Sequence, residues 1–532
     1  LKLVAQGHCP PMIARTAWPL TPLHTPRASV YTSSRRWSAG RCVALAGIAG
    51  CVKHSLRQRS GRRGALRVLA ALARGGDMNT RSRRVAVVGG GPAGVVSCRF
   101  LAEAGHEPVV FESGPEVGGI WAPEPTNKVV YSGLVTNLPT IVMQSFDLDF
   151  KPGLPSYIKT ADYGRYMVDY VEHFGLRRYV QCGASVTQID ALKSEDEEAD
   201  GEAAWRVRWA RRPSHGSDKL EHCEDEFDAV LVASGHYDTP YEPEVPGQAA
   251  WLAAEAPGRR TVTHAQRYDR PEQHASRAVL VVGGRSSAVD IARELRGVAR
   301  WVYVLEKGCE EVRTVGSCTH VPFGAALSPS GRLVLGDVEL DGPPVEDLIL
   351  ATGYVYRYPF LDSEQLGLDF GPVGRYVAPL HMHVLHARRP SLAFVGIPLA
   401  VPCPIPLFEA QARYVASHLR CASSTTAERE AWVDARRVAV GSRPQDMHFL
   451  SSAAWAYMRE LTKMSGMDAA DYEAYCRRLA LVEAVYKDRC SKRPQLPWDD
   501  DWYRRCEYSA DWDAGEFRVT LGEDAPTVAI GA

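Results

Sequence analysis

Two short stretches hold the residue types from which chemistry could be built. "VVGGGPAG" (Val87–Gly94) and "VVGGRSSA" (Val281–Ala288) each end an apolar run, turn on glycine and open a segment with helical spacing. In the first, Gly89, Gly91 and Gly94 make the spacing GxGxxG with Pro92 and Ala93 inside it, and Glu112 follows Gly94 by 18 residues. That set suits a dinucleotide. Gly89 permits the tight turn, Gly91 lets backbone approach a pyrophosphate, and Gly94 allows helix and strand to pack closely. The free N–H groups of the helix start would face the phosphates, and Glu112 would accept the two ribose hydroxyls.

The second stretch keeps this frame with altered residues. Gly283 and Gly284 hold the turn, but Arg285 takes the second glycine position and Ala288 the third, with Ser286 and Ser287 between them. Glu306 follows Ala288 by the same 18 residues, and Lys307 stands beside it. A carboxylate there repels a 2′-phosphate and favours NADH, whereas Lys307 and Arg285 can pair with that phosphate and favour NADPH. The expectation is an altered nucleotide site, with the Arg285 guanidinium on a cofactor phosphate.

The elements that must position these residues follow from periodicity. Val85 to Val88 are unbroken apolar positions, as in a parallel strand covered on both faces. Val95, Cys98, Leu101 and Ala102 share one side of the next helix, Gly105 ends it, and "PVVFE" is the second strand. After the second turn Ala288, Ile291, Ala292 and Leu295 form the buried stripe, and "RWVYVLE" is the strand that ends on Glu306. The polar run "KSEDEEADGEAA" reads as the tip of an antiparallel excursion, and "AWAYMRELTKMSG" and "DAADYEAYCRRLALVEAVY" as helices.

The fold class expected is α/β: two Rossmann-like, three-layer dinucleotide-binding domains, the first discontinuous around the inserted second, followed by a helical C-terminal region. The boundaries fall at 81–248 and 345–445 for the two parts of the first domain, 249–344 for the second, and 446–532 for the helical end. Residues 1–80 form a leader. It has no acidic residue before Asp77, is rich in Arg and Ser, and reads as an organelle transit peptide or a disordered tail; Met78 is an alternative start that would leave the protein cytoplasmic.

The 532 residues carry a net charge of -1, so the global charge gives no reason to expect a nucleic-acid partner. No stretch approaches the ~20 apolar residues of a transmembrane anchor. The 13 cysteines show neither a CxxC pair nor zinc spacing, which makes most of them buried thiols and leaves no metal site expected.

Several further motifs resemble those of the flavin-containing monooxygenases over residues 83 to 465. Gly118, Gly119, Ile120 and Trp121 look like that family's GGxW segment. "YSGLVTNLPTIVMQSFDLDF" is similar to the stretch whose asparagine, here Asn137, lies beside the flavin, and "LVASGHYDTP" and "LILATGYVYRYPFL", with Thr352 and Gly353, look like its two xATGx strands. The identifying motif FxGxxxHxxx[YF] is half present: His264 and Tyr268 keep the spacing, but Arg260 stands at the glycine and Gly258 at the phenylalanine.

The resemblance implies FAD at the first turn and NADPH at the second, and O2 with a soft amine or sulfide as substrates. It implies N- or S-oxygenation by a flavin hydroperoxide, with Asn137 orienting the oxygenated flavin and the retained nucleotide shielding it. His264 is expected as a polar linker residue and Trp121 as packing beneath the flavin loop. Alternatives are a Baeyer–Villiger oxygenase, against which Tyr268 argues because that motif ends in tryptophan, an NADPH oxidase, and a silent FAD-binding regulatory protein. A homodimer is compatible with the sequence.

Overall fold

The computed structural model describes residues 82–123, 129–192, 204–211, 220–256, 258–493 and 500–521. The leader at 1–80, nearly all of the acidic loop tip and the final tail lie outside these residues.

The chain opens with β1 (Arg84–Val88), α1 (Pro92–Glu103) and β2 (Glu107–Glu112), the two strands parallel with Val85 opposite Pro108 and Val88 opposite Phe111. After α2 (Thr160–His173), β3 (Val180–Cys182) joins the outer side of β2. Next, β4 (Ala184–Ala191), β5 (Trp205–Arg211) and β6 (Glu221–Phe227) form a separate antiparallel sheet, and β7 (Ala229–Val232) returns beside β1. The antiparallel excursion read from "SVTQID" and "WRVRWARR" is thus β4 paired with β5.

A second sheet then forms from β8 (Thr261–His264), β9 (Ala278–Val282), β10 (Trp301–Glu306), β11 (Arg313–Val315), β12 (Cys318–Pro322) and β13 (Asp347–Leu350), with α3 (Ser286–Leu295) between β9 and β10. Its order is β11-β12-β10-β9-β13-β8, parallel except for β11. The chain next adds β14 (Leu380–His381), β15 (Leu385–His386) and β16 (Leu392–Phe394) to the first sheet, whose order is β14-β15-β16-β7-β1-β2-β3. The first sheet is therefore interrupted in sequence by the whole of the second.

Past Arg84 both central strands are apolar because both faces are covered. Val85, Ala86 and Val87 of β1, and Val279, Leu280 and Val281 of β9, are fully buried. On one side of the first sheet lies the antiparallel one, where Phe111 of β2 packs on Trp209 at 4.8 Å and Phe227 at 5.9 Å between ring centroids. α1 packs both on β1 and β2 and on α4 (Pro404–Arg420). For that reason its burial exceeds the one-sided stripe expected from Val95, Cys98 and Leu101: Val96, Ser97, Arg99 and Phe100 are buried too. The Ser97 hydroxyl donates to the Ala93 carbonyl, and Arg99 pairs with Glu103 and Asp147. In α3, Ala288, Ile291, Ala292 and Leu295 are buried as expected.

After α4 come α5 (Thr426–Val440), α6 (Ala454–Met464) and α7 (Ala469–Lys492), then a hairpin of β17 (Cys506–Asp511) and β18 (Glu516–Leu521). The C-terminal region is thus helical only as far as Lys492. The hairpin turn is made by Asp511, whose Oδ1 accepts from the N–H groups of Asp513 and Ala514, and by Gly515 at φ +71°. Among the described residues no helix is long and apolar enough to cross a membrane. Four of the ten described cysteines are fully buried and five are partly so.

One carboxylate in this scaffold links stability to pH. Glu409 of α4 is buried, with the Ser145 hydroxyl donating to its Oε1 at 2.5 Å. Burial pushes its carboxyl up to about 7, against the opposing pull of Arg99. A carboxyl raised in the fold stabilises fully below its unfolded value, and that contribution is lost as pH rises through the folded one. Unfolding by urea should therefore show stability falling between about pH 4.5 and pH 7, and Glu409→Gln should flatten this slope, raising stability at pH 8 with little change at pH 5.

Candidate functional site

The first turn is built by close approaches that leave no room for side chains. Gly89 has φ +105°, and a Cβ on it would stand 2.7 Å from the Ala233 carbonyl oxygen. A Cβ on Gly94 would stand 1.9 Å from the Gly89 oxygen. Gly91 is the N-cap of α1 in an extended conformation, with Pro92 in the first helical position, where its missing N–H costs nothing. The Gly118–Gly119 turn folds over this one: the Gly118 N–H donates to the Gly90 oxygen at 2.9 Å, and a Cβ on Gly91 would lie 3.6 Å from the Gly119 Cα. Two turns of bare backbone thus face each other at a helix N-terminus, the kind of cradle that admits a pyrophosphate.

Glu112 ends β2 with its carboxylate already oriented. Gly90 N–H donates to its Oε2 at 2.7 Å and Gly114 N–H to its Oε1 at 2.6 Å. Each oxygen retains lone-pair capacity toward a ribose. Ile120 and Trp121 complete a single helical turn, Gly119–Trp121. Trp121 packs on Tyr163 of α2 at 4.8 Å between centroids, while Gly164 leaves room for the Trp121 carbonyl, so Trp121 props the loop, as expected.

The second turn repeats this construction. A Cβ on Gly283, at φ +139°, would stand 2.4 Å from the Ala351 oxygen, just as Gly89 meets Ala233. A Cβ on Gly284 would strike the Glu306 carboxylate at 1.9 Å, as one on Gly90 would strike Glu112. Arg285 is tolerated because the N-cap of α3 is extended, at φ -102° and ψ -175°, which any residue adopts. Its guanidinium lies 5.3 Å over the Phe449 ring. Lys307 lies over Phe323 at 5.0 Å, and the Glu306 carboxylate is 2.9 Å from His320 Nε2. Lys307 thus stands at the Glu306 end of this turn, while Arg285 turns its guanidinium toward Phe449.

Ser286 opens α3, and Ser287 beside it is exposed. Thr352 and Gly353 follow β13, with the Thr352 hydroxyl donating to the Tyr241 carbonyl. His264 is fully buried, against the expectation of a polar linker residue. Its Nε2 is 3.0 Å from the Gly353 oxygen and its Nδ1 accepts from Gln266 N–H, so it ties β8 to the strand end beneath the second turn. Tyr268 donates to Glu294 of α3 at 2.9 Å.

Asn137 reaches the second turn. Its Nδ2 donates to the Ser286 hydroxyl at 3.1 Å, so the loop between β2 and α2 touches the first residue of α3. Thr136 fixes that loop by exchanging backbone and side-chain hydrogen bonds with Ile158.

Two further residues at the first turn escaped the sequence reading. Gly396, two residues beyond β16 at φ +88°, lies against Phe408 and Ala93 at the start of α1 and donates its N–H to Gln411. His236, directly after Ser234 and Gly235, lies between the rings of Tyr237 and Tyr356, and burial pushes it down to about 4, so it is a neutral imidazole. The signal for Gly396 was a glycine after a buried strand, as at Gly89.

The profile of the flavin-binding monooxygenase-like family matches residues 82–315. The Arabidopsis thaliana flavin-containing monooxygenase FMO GS-OX-like 9 is 32% identical over 381 residues, 65% of this chain and 77% of that protein. GS-OX-like 3 of the same plant is 27% identical over 468 residues, 79% of this chain and 95% of its own. Among solved structures, S-allyl-L-cysteine S-oxygenase from Allium sativum superimposes with a TM-score of 0.66 at 25% identity, covering 82% of this chain and 98% of that one.

The geometry predicts an asymmetric response to substitution. Gly94→Ala drives a methyl into the Gly89 carbonyl and should abolish retention of dinucleotide at the first turn, seen as loss of nucleotide released from denatured protein. Ala288→Gly only removes a methyl from α3 and should leave that content unchanged.

Proposed function

The chain belongs to the flavin-containing monooxygenase family, FAD- and NADPH-dependent enzymes, and on that premise we propose that it oxygenates the sulfur or amine nitrogen of a soft, nucleophilic small molecule, sulfides first. The observation that carries this reading is the Asn137–Ser286 hydrogen bond, which holds the asparagine that the resemblance sets beside the flavin against the helix start of the second turn. Hydride donor and flavin must meet for such a reaction, and in this reading they do so beside Asn137. Support for a sulfide comes from the Allium sativum S-oxygenase, whose fold the chain shares over nearly its whole length.

In this reading Gly89, Gly91, Pro92, Ala93, Gly94, Gly118, Gly119 and Ile120 form the FAD cradle, Glu112 takes the ribose, and Trp121 supports the loop. FAD, when bound, supplies the activation of O2. Gly283, Gly284, Ser286, Ser287, Thr352 and Gly353 seat NADPH. Arg285 lies nearer the phosphate bridge, and Lys307 takes the 2′-phosphate. Asn137 is the protein's own polar contact toward the reacting centre, where its amide orients and hydrogen-bonds. A sulfur lone pair attacks an electrophilic oxygen directly, so no protein nucleophile is required.

The decisive experiment is anaerobic mixing of the purified yellow protein with NADPH, then addition of O2 and a thioether. The expected outcome is bleaching, followed by one sulfoxide per NADPH oxidised; no bleaching with either nicotinamide nucleotide would sink the reading. Asn137→Ala should bleach normally yet form sulfoxide about a hundredfold more slowly, the scale of a lost transition-state hydrogen bond.

The ribose end carries its own test. Lys307→Ala should raise KM for NADPH about tenfold and leave NADH unchanged, since an exposed charge pair of this kind is worth on the order of 1 kcal/mol. Arg285→Ala should affect both nucleotides alike. Glu306→Gln should improve NADPH, because the carboxylate no longer opposes the phosphate.

A further inference from the structure

The C-terminal segment lies beyond both the matched family profile and the motifs that carried the resemblance, yet it reaches the contact between the Asn137 loop and the start of α3. Arg493, the C-cap of α7, donates from Nη2 to the Ser286 hydroxyl at 3.1 Å, so Ser286 Oγ accepts from Asn137 and Arg493 together. Arg504, which precedes the hairpin, makes a two-pronged contact with Asp290 of α3 at 2.9 and 3.4 Å. Its Nε also donates to the Thr136 carbonyl at 3.2 Å, one residue before Asn137. Arg504 and Asp290 are each 13% exposed, which takes this pair out of the weak class of surface ion pairs.

The segment that delivers these arginines is itself anchored. The buried Tyr503 ring has the Arg489 guanidinium 5.2 Å and the Arg504 guanidinium 5.5 Å from its centroid, and Tyr157 packs on it at 5.5 Å. Glu507 accepts from the Ser156 N–H, Ser156 Oγ accepts from the Tyr508 N–H, and the Tyr508 hydroxyl donates to Asp488 of α7. Residues 156–158 in turn hold Thr136. A closed circuit runs from the Asn137 loop through the hairpin and α7 to the start of α3, and back to Asn137.

We infer that Arg493 and Arg504 are positioning residues: they fix the N-terminus of α3, and so the seat of the nicotinamide nucleotide, against Asn137. The inference rests on the functional reading above only for its effect on coupling. Without the two arginines, α3 loses the ties that reinforce the Asn137–Ser286 hydrogen bond. Nucleotide binding should then weaken, and a larger share of the NADPH oxidised should end as hydrogen peroxide rather than as sulfoxide.

The test uses the full chain carrying Arg493→Ala, Arg504→Ala, Arg504→Asp alone and with Asp290→Arg as a charge swap, and Asp290→Asn, which removes the charge that Arg504 pairs with and lies outside the proposed nucleotide seat. Dissociation constants for NADP+ by calorimetry and amide hydrogen exchange over residues 286–295 are read alongside FAD content and the peroxide formed per NADPH. Support would be FAD content unchanged, NADP+ bound about tenfold more weakly, faster exchange in α3, more peroxide, and partial recovery in the charge swap. Arginine variants that leave NADP+ affinity and α3 exchange as in the parent would overturn the inference, as would a charge swap no better than Arg504→Asp alone. If the arginine variants fail to fold, Asp290→Asn decides by the same two readouts. Calorimetry and exchange need no turnover, so a failed oxygenation assay in the parent protein leaves this test intact.

Discussion

The nucleotide end of the first sheet depends on one steric constraint: the Gly94 Cα lies so close beneath the Gly89 carbonyl that a Cβ would stand 1.9 Å from its oxygen. Because α1 can come that near, its free N–H groups point into the turn, and Gly91 meets Gly119 with only backbone between them. The carboxylate of Glu112 locks the same turn from the far side through Gly90. The second turn has the same carboxylate against Gly284 and the same strand end beneath Gly283, while an alanine replaces the third glycine and an arginine the second. Both turns therefore work by close backbone approach, and the second admits a long side chain only at the extended Arg285 and no more than a methyl at the buried Ala288.

The parts legible from sequence were those encoded within about 30 residues of chain, the span of one βαβ unit. Strand, glycine turn, helix and closing acid all fall inside that window, so Gly89 to Glu112 and Gly283 to Glu306 could be read as units. Asn137, Gly118 and Gly119 came from likeness to a family. What remained hidden was set by distant chain. Gly396 reaches Ala93 only because β16 pairs with β7, and Arg493 and Arg504 reach α3 from more than 200 residues away.

Other departures have the same origin. His264 looked like linker because nothing near it in sequence buries it; β13 does, through the strand pairing of Leu350 with His264. The direction of Arg285 was equally invisible, since Phe449 is supplied by the region between α5 and α6. The C-terminal hairpin was legible in principle, because "CEYSAD" and "EFRVTL" alternate around a turn ending in Gly515, but the long helix before it dominated the pattern.

The order in which the chain is made acquires meaning from the split first sheet. β7 gains its second neighbour only when β16 emerges, roughly 160 residues later, and Gly396 and α4 follow. A nascent chain ending in the second sheet would therefore hold β7 as a bare edge, and α1 would lack the helix that covers its outer side. Long-range pairing of this kind slows folding and exposes apolar surface until it is complete. The second nucleotide unit, contiguous from β8 to β13, has no such wait, so it can mature during synthesis while the first remains unfinished.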